Sequence, residues 1–194
     1  MPRRRLIPLT ALGAAVALAA AVAGPGSPAG AAQTPSQKVF TQKLVDDAKT
    51  SAGVKKMLQA KTAIVDPRSG FVDVTGDGRQ DALILVSTGG AGGAVALYVF
   101  STHGQKTTDD TSLKVVFRLQ SLYDATLRIS AQTISILEPR WEKGDDLCCP
   151  DKLRERDYAF DAKALTFRRT ADKDIDYTSK STTGASTTAP GTTQ

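Results

Sequence analysis

Apolar positions between Gln33 and Lys61 recur at helical spacing. Phe40, Leu44 and Ala48 step by four, with Val45 beside them, which predicts one apolar stripe on a helix. Ser36 stands where an N-cap is needed. Thr50-Ser51-Ala52-Gly53 interrupts the pattern, and a second short helical turn carries Val54, Met57 and Leu58. From Phe71 the period falls to two. Ala82 to Ser87 is apolar on both faces, as expected of a strand buried in the middle of a sheet. In Ala94 to Ser101, Val95, Leu97 and Val99 alternate with Ala96, Tyr98 and Phe100. Alternation returns around Leu113–Leu119, Ala125–Ile129 and Thr133–Glu138, and again in a terminal hairpin, Arg154–Phe160 and Leu165–Arg168. The links are short and hold no helices, which makes an antiparallel meander. The expected architecture is therefore α+β: an N-terminal helical segment (32–62) packed on an antiparallel β-meander sheet of about six to seven strands (63–177).

The two ends follow other rules. Arg3, Arg4 and Arg5 precede an apolar stretch from Leu6 to about Ala23, and small residues end in Ala29-Gly30-Ala31. That order predicts a secretory signal peptide over 1–31; a retained membrane anchor is the competing reading. Thr178 to Gln194 is Thr, Ser, Gly, Ala and Pro with almost no apolar bulk, so a disordered tail is expected. The protein is then secreted, with no membrane segment after cleavage. No cysteine lies near the cleavage site, which excludes an N-terminal lipid on a cysteine.

Charge narrows the partners. Loss of residues 1–31 removes three arginines and no acid, so the net charge falls from +5 to +2. A near-neutral chain argues against nucleic acid, which needs a concentrated basic face. The expected partner is an extracellular protein or a glycan. The absence of asparagine rules out N-linked glycosylation.

The most informative stretch is Asp73-Val74-Thr75-Gly76-Asp77-Gly78-Arg79-Gln80-Asp81. Asp73, Thr75, Asp77 and Asp81 occupy oxygen-ligand positions of a calcium loop, Gly78 the sharp turn, and the Arg79 carbonyl a further ligand position. Ile84 stands where a calcium hand places its bidentate Glu, so this is no EF-hand. Three carboxylates without a Glu predict weak binding, on the order of 10⁻⁴–10⁻³ M. The other reading is a turn whose aspartates accept from backbone amides.

The loop resembles the FG-GAP (VCBS-type) calcium loop, D-x-[DN]-G-D-G-x-x-D, with Thr75 where that pattern has Asp or Asn. That family repeats the unit as propeller blades. A single copy stands here, so the resemblance implies calcium at the loop and no propeller. More narrowly, the β region is similar to a group of small bacterial secreted proteins that join such a loop to a Cys-Cys-Pro segment and a terminal hairpin. The matching residues are Gly144-Asp145, Cys148-Cys149-Pro150 and Tyr158-Ala159-Phe160-Asp161. No activity comes with that resemblance.

Cys148 and Cys149 are the only cysteines. In an exported protein a strained vicinal disulfide is one expectation; free thiols and an intermolecular bridge are the others. Two adjacent cysteines and a distant histidine do not make a zinc site. Gly89-Gly90-Ala91-Gly92-Gly93 precedes a strand, without the Lys-Ser/Thr and helix of a phosphate loop, and reads as a strand connection. His103, the only histidine, reads as a surface loop residue. Glu138, Glu142, Asp145 and Asp146 could supply paired carboxylates, although such a run is more often solvated. Trp141 either anchors a ligand or lids the core. Lys152, Arg154, Arg156, Arg168 and Arg169 interleave with acids and read as a mixed surface. Together these features predict a secreted, non-catalytic binding or structural module with one calcium-stabilised loop. The alternatives are a small extracellular hydrolase using Glu138 to Asp146, and a cell-envelope sensor or inhibitor.

Overall fold

The computed structural model describes residues 33–66, 70–90, 92–109, 112–145 and 150–177. The expected signal peptide, the terminal tail and both cysteines lie outside them. Two helices, α1 (Pro35–Asp46) and α2 (Ala52–Gln59), precede nine strands. The strands are β1 (Ala63–Val65), β2 (Gly70–Val72), β3 (Asp81–Thr88), β4 (Ala94–Ser101), β5 (Lys114–Gln120), β6 (Thr126–Ser130), β7 (Thr133–Arg140), β8 (Lys152–Asp161) and β9 (Thr166–Asp176). They form two antiparallel sheets rather than one meander. The first runs β1-β3-β4-β5 with β2 also on β3; the second runs β6-β7-β8-β9.

The layering explains the doubly apolar strands. On β3, Ala82, Ile84 and Val86 pack with Phe40, Leu44, Val54 and Leu58 of the helices. Leu83 and Leu85 face the other way, into a core shared with Ile134, Ile136, Tyr158 and Phe167 of the second sheet. β4 repeats the division, with Ala96, Tyr98 and Phe100 toward the helices and Leu97 and Val99 toward the second sheet. The first sheet is thus the middle of three layers, and both its faces must be apolar. Phe117 bridges the layers, its ring centroid 4.9 Å from Tyr158 and 5.2 Å from Phe167.

Local chemistry sets the helix ends. Thr34, not Ser36, caps α1: its hydroxyl accepts from the Gln37 amide at 3.2 Å, and its own amide donates to Gln37 Oε1 at 2.7 Å. Pro35 fills the first turn, where its fixed φ and missing N–H do no harm, so the cap falls two residues earlier. Ser51 caps α2.

Polar residues of β5 hold the helices down. Arg118 donates through Nε and Nη2 to Asp47 Oδ2, at 3.1 and 2.9 Å. Gln120 Oε1 accepts from the Ser51 amide and from the Tyr98 hydroxyl. Burial pushes the Tyr98 phenol up to about 12, so it remains a neutral donor at physiological pH. At Asp47, burial raises the carboxyl, but Arg118 and the Lys49 amide outweigh it and hold the group below its ordinary 3.8. A depressed carboxyl stabilises the fold above the unfolded-state value, and that stability is lost as pH falls through the folded value. Asp47→Asn is therefore expected to destabilise by about 1–3 kcal/mol near neutrality. The deficit against wild type should shrink as unfolding is measured from about pH 5 toward about pH 3.

The β3–β4 connection also sets a register. Gly93 has φ +50°, and a Cβ there would stand 2.9 Å from the Asp124 Cα. The approach lets the Asp124 amide donate to the Gly92 carbonyl at 2.8 Å, carrying the chain from the first sheet to the second. Pro139 lies within β7 rather than in an irregular segment. It pairs with Leu153 of β8, while β6 ends opposite Leu137, so the missing N–H disrupts no ladder. Among the described residues, no helix is long and apolar enough to cross a membrane.

Candidate functional site

The acidic loop joins β2 to β3, and backbone amides hold its carboxylates. Asp73 accepts from the Gly76 amide at 2.7 Å and the Gly78 amide at 2.8 Å, one on each oxygen. Burial raises this carboxyl, but the Gly78 and Gly76 amides outweigh it and keep it below 3.8. Asp77 Oδ1 accepts from the Arg79 amide at 2.9 Å. Asp81 opens β3 at 0% exposure, and its Oδ2 accepts from both the Val74 and Thr75 amides at 2.9 Å. Gly76 and Gly78 take φ +77° and +80°, the left-handed turns that leave these amides free to converge.

Two oxygens are left over. Asp81 Oδ1 and Thr75 Oγ1 are buried without a hydrogen-bond partner. Unpaired hard oxygens in an acidic loop suit a cation such as calcium. The carboxylate oxygens that already accept one amide each keep a second lone pair. Against this, no three His, Cys, Asp or Glu side chains among the described residues are grouped so as to hold a metal. The donor chemistry of Asp73, Thr75, Asp77, Asp81 and the Arg79 carbonyl therefore fits, while the amides already take up much of the acidic charge.

The loop also sits against both sheets. Gln132, in the β6–β7 turn, lies so close that a Cβ on Gly76 would stand 2.8 Å from its Cδ. Arg79 donates to the Gln105 carbonyl at 3.1 Å, beyond β4. His103 is not a plain surface residue. Its side chain is only 21% exposed, its Nδ1 lies 3.3 Å from Asp77 Oδ2, and its ring packs edge-on against Phe160 of β8. Sequence reading missed His103 and Gln132, because neither carries a local signal: their roles come from residues far away in the chain.

The acids at the end of β7 and after it are engaged elsewhere. Glu138 pairs with Arg156 through Oε2 and accepts from the Tyr123 amide through Oε1. Glu142 accepts from Lys152 Nζ at 3.0 Å, and Asp145 Oδ2 accepts from the Glu142 amide at 2.8 Å. Asp146 lies outside the described residues. The basic strip is likewise paired: Arg154 and Arg169 with Asp172, Arg168 with Asp161.

Trp141, 41% exposed, borders a shallow cavity of about 310 Å³ on the second sheet. Tyr177, just past β9 and 46% exposed, forms another wall, over a floor that includes Leu137 and Leu153. Among the described residues, Asp124 is the one carboxylate lining it. In comparisons with known proteins, no family model, no curated protein and no solved structure matches this chain.

Proposed function

We propose that this is a secreted, non-catalytic binding module whose β2–β3 loop is a weak calcium clip. The observation that supports it most is the position of the loop: Gly76 lies against Gln132 of the β6–β7 turn, and Asp77 lies beside His103, whose ring packs on Phe160 of the second sheet. Calcium there would be held by Asp73, Thr75, Asp77, Asp81 and the Arg79 carbonyl. It would supply charge neutralisation and loop rigidity, not a reacting group. The binding surface is the cavity beside Trp141. Acid–base hydrolysis between paired carboxylates needs two facing acids, and among the described residues Asp124 is the one acid that lines this cavity.

Calcium at tenfold excess over its dissociation constant is expected to stabilise the fold by roughly 1.4 kcal/mol. Thermal melts with chelator and with millimolar calcium measure this. Asp77→Ala should erase the calcium-dependent part of the shift. Coincident wild-type curves under the two conditions would remove calcium from the proposal.

A further inference from the structure

The cavity beside Trp141 brings a cation, an anion and aromatic rings together. Every other described arginine has a carboxylate or carbonyl partner. The Arg128 side chain, on β6 and lining the cavity, has no hydrogen-bond or ion-pair partner among the described residues. The Asp124 carboxylate, which also lines the cavity, accepts no hydrogen bond from the described residues. Asp124 is moreover held at φ +44° against Gly93, a conformation a non-glycine residue adopts at some cost. The cavity thus joins an uncommitted cation, an uncommitted anion and two exposed aromatic rings.

We infer that this cavity binds a neutral polysaccharide, with sugar rings against Trp141 and Tyr177 and hydroxyls on Asp124 and Arg128. This rests on the reading of the protein as a binding module and names its ligand class. The chemistry selects the ligand by exclusion. An anionic polymer would gain Arg128 but meet Asp124, and a cationic one the reverse. A hydroxyl both donates and accepts, so neighbouring hydroxyls satisfy the carboxylate and the guanidinium together. The apolar C–H faces of a sugar ring suit aromatic walls, and polar rims suit its edges. A proline-rich peptide would use the same walls, but would leave both charges without a role. The volume lies at the low end of small-ligand sites, about 300–1,000 Å³.

Trp141 is the only tryptophan, so its emission reports on this cavity alone. The full secreted chain is titrated with neutral hexasaccharides of glucose, xylose and N-acetylglucosamine, an oligogalacturonate and a proline decamer. The expected result is a saturable change with at least one neutral hexasaccharide and none with the other two probes. Arg128→Ala and Asp124→Asn should each weaken binding about tenfold, the size of one charge-assisted hydrogen bond. Trp141→Phe should retain weak binding by calorimetry, and Trp141→Ala should abolish it. Unchanged melting of the variants shows that they fold. If only the peptide or the acidic oligomer binds, the glycan inference fails while the binding-module reading stands. If no probe binds, the inference fails as well. Shortened products in the saccharide titrations would keep glycan recognition but overturn the non-catalytic reading.

Discussion

Asp81→Ala is expected to lower the unfolding free energy by about 2–6 kcal/mol. The Asp81 carboxylate is wholly buried and receives the Val74 and Thr75 amides on one oxygen. Truncation leaves both donors without an acceptor, at about 1–3 kcal/mol for each. Asp81→Asn keeps a carbonyl for the two amides and should cost far less in chelator. It removes the negative charge, however, and so should lose most of any calcium-dependent stabilisation. Urea denaturation of the three proteins, with and without calcium, separates the amide role from the ion role. Equal losses for Ala and Asn in chelator would mean that the amide bonds are not what stabilises this loop.

Leu97→Ala is expected to cost about 2–5 kcal/mol, the range for emptying a buried leucine site. Leu97 is fully buried on β4 and points into the core shared with Ile134, Ile136 and Tyr158 of the second sheet. The layers should unfold as one unit. Trp141 emission reports the second sheet, and far-ultraviolet circular dichroism reports the helices of the outer layer. In the variant both probes should shift to lower denaturant by the same amount. A shift confined to the tryptophan signal would mean that the second sheet unfolds on its own.

Much of this was legible along the chain because it rests on short-range patterning. The two-residue period located most of the strands, and the break at Thr50–Gly53 separated α1 from α2. The Asp-Gly spacing identified the β2–β3 loop, since a turn needs glycine at positive φ and acceptors for its amides. Partition of the strands into two sheets was not legible. The short crossover after β5 looks like any hairpin link, and only the Gly93–Asp124 approach shows the chain leaving one sheet for the other. Arg118 and Gln120 are the polar members of the alternation in β5, and they grip the helices because β5 places that face under α1 and α2.

By itself the sequence determined most of the helical and strand segments, where the acidic turn falls, and that β3 must be covered on both faces. Those properties depend on neighbours a few residues away and on the apolar bulk that water rejects. The tertiary structure alone decided what covers those faces, that Asp77 lies beside His103, and that Arg128 and Asp124 share a cavity with Trp141 and Tyr177. Such contacts join residues far apart in the chain, whose proximity follows from sheet packing rather than from any local preference.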